Sequence, residues 1–266
     1  MSFWDELDLK YSVILCDIWG VVHDGVNLYA HAAERLCLWR EQGRRIILIT
    51  NAPRPADAVE AQLARIGLPR DCWDGIATSG EAGIAAILAL GHPTGFLGTK
   101  QDRGILEAHG LRFVDDGFTD IAVTGLDGIR MIAEDYRPQL ESLAARDVLF
   151  HCFNPDRVVV RGGVPEACAG ALADLYEGMG GRVLWYGKPH PSIYDYALGL
   201  AGHPTRDAVL VVGDALVTDM LGAAAQGFDA VFVQGGIHAD EPFPADFASQ
   251  YGLGDWSPVA VVDSLR

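Results

Sequence analysis

Val13-Ile14-Leu15-Cys16-Asp17 is a run of four apolar residues that ends on an acid. A short, uninterrupted apolar run reads as a strand buried on both faces, the habit of parallel sheets. Its acid then stands at the carboxyl end of the strand, where open parallel sheets bind their ligands. The pattern repeats downstream. Residues 31–42 carry helical spacing through Leu36 and Trp39 and stop at Gly43, a C-cap candidate. Residues 46–49 are a second apolar run, ending at Thr50-Asn51, and Pro55 opens a helix predicted to reach Ile66. Residues 74–78 read as a third strand, followed by an Ala-rich helix over 81–90. Strand–helix–strand alternation predicts parallel pairing with right-handed crossovers.

The last third resumes this rhythm: a helix over 191–200, an apolar run at 208–212 ending at Gly213-Asp214, a helix capped by Thr218 that runs to Gln226, and a final core strand at 230–233. The middle differs. It has short apolar runs at 96–97, 121–123, 148–150 and 158–160 and two helical stretches near 137–146 and 165–178. The expected organisation is an α/β protein with a Rossmann-like core formed by residues 1–90 and 186–266, and a smaller α/β unit inserted at 91–185.

Composition bounds the function. At 266 residues the chain is about twice the usual domain length, which suits a core with a large insertion. A net charge of −16 argues against nucleic acid as a partner, because phosphate backbones repel an acidic surface. No apolar run approaches the roughly 18 residues of a membrane span. Cys16, Cys37, Cys72, Cys152 and Cys168 are odd in number and contain no CxxC pair, so they read as reduced thiols rather than a disulfide framework or zinc site. Residues 1–10 carry three acids and no basic stretch, unlike a secretory signal. The expected location is the cytoplasm.

Asp17, Thr50, Lys188 and Asp214 are polar groups at strand ends, and each alone has a plain structural explanation: a turn, a loop cap, a solvated lysine between Gly187 and Pro189. Thr218-Asp219 alone would be a helix cap with an acid in the first turn. Together they suggest chemistry. Two acids on neighbouring strand ends can share a hard cation such as Mg²⁺. A hydroxyl and an ammonium beside them would bind a phosphoryl group, and an aspartate can itself be the nucleophile.

In this set of segments, Asp17-Ile18-Trp19-Gly20-Val21, Thr50-Asn51, Gly187-Lys188-Pro189-His190-Pro191 and Gly213-Asp214 with Thr218-Asp219, the chain resembles the haloacid dehalogenase superfamily, and within it the NagD-type and nitrophenyl-phosphatase-like class IIA hydrolases. The resemblance implies a Rossmann-like core with an α/β cap inserted between the second and third segments. It implies Asp17 as nucleophile and Mg²⁺ ligand, with Thr50 holding phosphoryl oxygens and Lys188 steadying both nucleophile and phosphate. It further implies Asp214 as a metal ligand, Asp219 as support of the metal site, the Trp19 backbone carbonyl as a ligand, and Asn51 as a backbone donor to phosphate. The class also tends to carry Asn-Pro-Asp in its cap, present here as Asn154-Pro155-Asp156, for which a turn is the simpler explanation. Some members dimerise through the cap; no residue here argues for a homodimer.

The chain departs from the family at Trp19. The phosphatases of the family place a second aspartate there as general acid and base. General acid–base catalysis contributes about 10²–10⁴-fold, so its loss slows the reaction without abolishing it, and falls hardest on alkyl and sugar phosphates. His23 or Asp24 could substitute, although His23-Asp24-Gly25 also has ordinary turn chemistry. The retained acids Asp214 and Asp219 disfavour the metal-free dehalogenase branch, and Lys100, the one lysine in the insertion, has no surroundings suited to phosphonate cleavage. The expected activity is Mg²⁺-dependent hydrolysis of a small phosphorylated metabolite. A degenerate protein that binds a phosphorylated ligand with little turnover is the alternative.

Overall fold

The structure is a computed structural model describing residues 2–161, 164–235 and 243–266. The chain divides into two compact units, one formed by Met1–Thr50, Glu60–Ala77 and Lys188–Arg266, the other by Asn51–Val59 and Thr78–Gly187. The insertion expected at 91–185 lies inside the second unit, which also takes in residues 51–59 and 78–90.

The first unit starts with β1 (Val13–Asp17), α1 (Ala32–Glu41), β2 (Arg45–Thr50), α2 (Ala56–Ile66, shared between the units) and β3 (Gly75–Thr78, whose last residue joins the second). All five residues of β1 are buried, as are five of the six in β2, which is why both appear in the sequence as plain apolar runs.

The second unit continues with α3 (Ser79–Leu90), β4 (Gly95–Leu97), α4 (Lys100–Ala108), β5 (Asp120–Val123), α5 (Arg137–Ala145), β6 (Leu149–Cys152), β7 (Val158–Arg161), β8 (Val164–Ala167), α6 (Ala169–Gly178) and β9 (Arg182–Trp185). Its parallel sheet has the order β4-β5-β6-β9, with β7 and β8 as a separate antiparallel ribbon. Two apolar clusters hold it. One joins β5 and β6 to α5 and α6 through Leu140, Phe150, Leu172 and Tyr176. The other packs Ile84 and Ile87 of α3 with Leu106, Phe153 and Tyr186.

The chain then returns to the first unit with α7 (Pro191–Leu200), β10 (Val209–Gly213), α8 (Leu221–Gln226), β11 (Asp229–Val233), α9 (Phe247–Gln250) and β12 (Ala260–Val262). The strand order is β12-β11-β10-β1-β2-β3, with β1 parallel to both β2 and β10. The chain leaves β1 in one direction toward β2 and later fills the other side with β10, β11 and β12. That makes β1/β10 the topological switch point, where the carboxyl ends of an open sheet leave a crevice. Among the described residues no helix is long and apolar enough to cross a membrane.

Four expectations need correction. The strand at 230–233 is not the last, since β12 extends the sheet edge beyond it. The stretch read as a helix from 165 begins as β8, with Pro165 in an isolated ribbon that tolerates a missing backbone donor. Thr218 is not a cap: it lies inside a π-helical turn, Leu216–Met220, that precedes α8. Cys37 and Cys72 are not reduced thiols but a disulfide, while Cys16, Cys152 and Cys168 are buried. The pair is 35 residues apart in sequence, yet α1 and the 3-10 turn Arg70–Cys72 are spatial neighbours whose cysteine Cα atoms are 4.1 Å apart.

Candidate active site

Asp17 ends the central strand, and the register places it beside Ile49 of β2, one residue before Thr50. On the other side Cys16 pairs with Val212, so Gly213 ends β10 at the level of Asp17 and Asp214 follows directly after it. Asp17, Thr50, Lys188, Asp214 and Asp219 are all buried. Lys188 Nζ donates to Asp17 Oδ1 at 2.6 Å and to Asp219 Oδ1 at 2.7 Å, tying the first strand to the turn after β10.

Two glycines make room for this cluster, and their role was not drawn from the sequence. A Cβ on Gly20 would lie 1.9 Å from Asp214 Oδ2, and Gly20 has φ +91°, a conformation few side-chain-bearing residues adopt. A Cβ on Gly213 would lie 2.3 Å from the Asp219 side chain. The available signal was position: each glycine directly neighbours a residue of the proposed site. The π-helical turn contributes too. Asp219 N–H donates to the Ala215 carbonyl at 3.1 Å while Asp219 Oδ2 accepts from Ala215 N–H at 3.3 Å, and this wide turn aims the carboxylate back at Lys188. Such turns recur at functional sites.

Carboxylate oxygens of Asp17, Asp214 and Asp219 lie within 4.8 Å of one another. Three buried carboxylates bring three negative charges, and Lys188, bonded to Asp17 and Asp219, returns one. Burial and then the repulsion of Asp219 push the Asp17 carboxyl well above its ordinary range, against the pull of Lys188. Burial pulls the Lys188 ammonium down, but Asp17 and Asp219 outweigh it and hold the proton firmly. A dry, all-oxygen donor set with surplus negative charge fits a hard divalent cation such as Mg²⁺.

Trp19 is half-buried and its ring meets His23 edge-on at 5.5 Å between centroids. Gly25 closes over the indole so tightly that a Cβ there would lie 2.3 Å from the ring. His23 is buried, and its Nδ1 accepts from the Gly25 N–H at 2.8 Å, which leaves the proton of the neutral ring on Nε2. Burial lowers the affinity of this imidazole for a second proton. Asp24 is exposed and accepts from the backbone N–H groups of Val26 and Asn27, bonds that hold its carboxyl below the usual range. Both candidate substitutes for the missing acid are thus engaged in shaping the turn 23–27.

Asn51 belongs to the second unit, although it directly follows Thr50. Its side-chain amide donates to Asp156 Oδ1 at 2.8 Å, and Asp156 N–H in turn donates to Asn154 Oδ1 at 3.0 Å. Asn154-Pro155-Asp156 is therefore a turn and also an anchor for the Asn51 side chain.

Comparison with known proteins gives the family. Residues 14–112 match the family model described as haloacid dehalogenase-like hydrolase, and residues 185–266 match a second one, a HAD-hydrolase-like model. A D-glycerol 3-phosphate phosphatase of Mycobacterium tuberculosis is 29% identical over 236 residues, 86% of this chain and 65% of that protein, so the chain spans slightly less than two thirds of it. An acid sugar phosphatase of Staphylococcus saprophyticus is 27% identical over 240 residues, covering 87% of this chain and 90% of that one. The crystal structure of a hydrolase of the haloacid dehalogenase-like family from Brucella suis superposes with a TM-score of 0.85 at 33% identity, covering 98% of both chains. With that identity sustained over the full length, the chain belongs to the haloacid dehalogenase-like hydrolase family.

Proposed function

We propose that this protein is a Mg²⁺-dependent phosphatase of a small phosphorylated metabolite, acting through an aspartyl-phosphate on Asp17. The observation that carries the reading is the buried cluster of Asp17, Lys188, Asp214 and Asp219 at the switch point of the sheet. Similarity to phosphatases of glycerol phosphate and of sugar phosphates supports the substrate class.

Asp17 attacks phosphorus as the bond to the leaving oxygen breaks. Lys188 holds Oδ1 of the nucleophile, which directs attack to Oδ2. The Thr50 hydroxyl and the Asn51 backbone N–H bind phosphoryl oxygens, and Lys188 spreads their charge. Asp17, Asp214 and the Trp19 backbone carbonyl, with Asp219 in support, would hold Mg²⁺, which when bound would supply electrostatic neutralisation of the phosphoryl group. Water then cleaves the aspartyl-phosphate and frees Asp17. Trp19 can neither protonate the leaving oxygen and recover the proton nor activate that water, because an indole N–H is a donor alone. Substrates whose leaving groups depart as stable anions are therefore favoured.

The test is phosphate release from acetyl phosphate and p-nitrophenyl phosphate, in Mg²⁺ and in EDTA, for the wild type and Asp17→Asn. Release that requires both the metal and Asp17 is the expected result. Absence of release from both activated phosphates would overturn the reading. Trp19 would then favour the alternative, a phosphorylated-ligand binder with little turnover.

A further inference from the structure

We propose that, once its disulfide is reduced, the first unit holds one Zn²⁺ between Cys37, Cys72 and Asp71. This site is separate from the proposed phosphatase centre, and neither depends on the other. The two sulfurs and a carboxylate oxygen of Asp71 all lie within 4.8 Å of one another. Asp71 is exposed and Cys37 half-buried, so the group is open to solvent, whereas Cys72 is buried behind them.

Cys37 and Asp71 line a cavity of about 510 Å³ together with Arg40, Arg44 and Arg45. Arg40 also fixes the turn itself, donating to the Asp71 backbone carbonyl and, at 2.9 Å, to Asp74 Oδ1. Glu41, Asp71 and Asp74 share this lining and match the three guanidinium charges, so no net positive charge repels an entering cation. Two thiolates, one carboxylate and an open fourth position for water make up a tetrahedral zinc set. The donor chemistry separates this site from the all-oxygen trio of Asp17, Asp214 and Asp219. Soft thiolates select zinc, whereas carboxylates alone suit Mg²⁺.

The steps balance. A dithiol reductant gives two electrons and two protons to the Cys37–Cys72 bond and leaves as its own disulfide. The two thiols so formed then release two protons to solvent as Zn²⁺ bonds both sulfurs. Either state links α1 to the turn Arg70–Cys72, by a covalent bond in one and by a metal in the other.

The experiment uses the full chain with excess Mg²⁺, so that the carboxylate site is filled. Oxidised and phosphine-reduced protein are titrated anaerobically with Co²⁺ as a spectroscopic stand-in for zinc, then with Zn²⁺. Reduced wild type should take up one equivalent of Co²⁺ with thiolate-to-cobalt charge-transfer absorption that Zn²⁺ bleaches, and oxidised protein should show none. Cys72→Ser should abolish the band, and Asp71→Asn should weaken Zn²⁺ binding at least tenfold. In a second measurement, which needs no variant, Zn²⁺ should protect Cys37 and Cys72 of the reduced native protein from alkylation, as mapped by mass spectrometry. A reduced wild type without the band, a band that survives Cys72→Ser, or an absence of protection would each overturn the proposal.

Discussion

Trp19 sets the chemical character of the proposed reaction. Its ring is clamped between His23 and Gly25, so the side chain serves as a wall and cannot swing aside without opening the turn. Trp19→Asp should restore an acid and base at this position. It should raise kcat/KM on glycerol phosphate by about 10²–10⁴-fold while changing p-nitrophenyl phosphate hydrolysis far less, because that leaving group needs little protonation. An equal change on both substrates would show that position 19 does not handle the proton. The residues of the proposed site were readable because each is a polar group that ends an apolar run, as Asp17 does after Val13 to Cys16. The bond from Asn51 to Asp156 was not, since it joins positions 105 residues apart through an amide that any loop could carry.

Among the elements, β6 carries an unusual load. His151 is buried between Tyr186, whose hydroxyl lies 2.7 Å from Nδ1, and Asp120, whose Oδ1 lies 2.9 Å from Nε2. A carboxylate can only accept, so Nε2 carries the proton and Tyr186 donates to Nδ1. Burial depresses the imidazole below its ordinary 6.5, against the opposing pull of Asp120, so the folded protein prefers the neutral ring. The unfolded chain takes up a proton as pH falls through 6.5 and the folded one resists. The contribution is thus complete above that pH and is lost on acidification toward the folded value. The urea midpoint should therefore fall between about pH 7 and pH 5, and His151→Gln should flatten that slope. An unchanged slope in the variant would remove His151 as its source. Elements were legible in proportion to their burial. β1, β2 and β10 are nearly all interior and were plain. β9 alternates exposed and half-buried residues, and α4 buries only Asp102 and Leu106, so neither left an apolar pattern to find.

For the whole molecule, the net charge of −16 opposes the approach of an anionic substrate. The Debye length shrinks from about 30 Å at 0.01 M salt to about 8 Å at 0.15 M. KM for p-nitrophenyl phosphate should accordingly fall as sodium chloride rises across that range, with kcat nearly constant. A KM that rises instead would mean that local attraction at the site outweighs the global field. The α/β architecture with an inserted unit was legible from the alternation of strand and helix patterns. That α3 sides with the second unit was not, because its apolar residues show that it packs but do not name its partner.

Gly83 of α3 faces the Phe153 ring so closely that a Cβ there would lie 2.6 Å from it, and Asn51 leans on Asp156. The second unit is thus encoded in two pieces, 51–59 and 78–187; the Asn51–Asp156 bond joins them, and the Gly83–Phe153 contact lies within the longer one. Recombination that exchanged only residues 91–185 between lineages would import a new Phe153 neighbourhood against an old Gly83. An exchange that keeps both contacts has to carry α3 and the 51–59 segment along with residues 91–185.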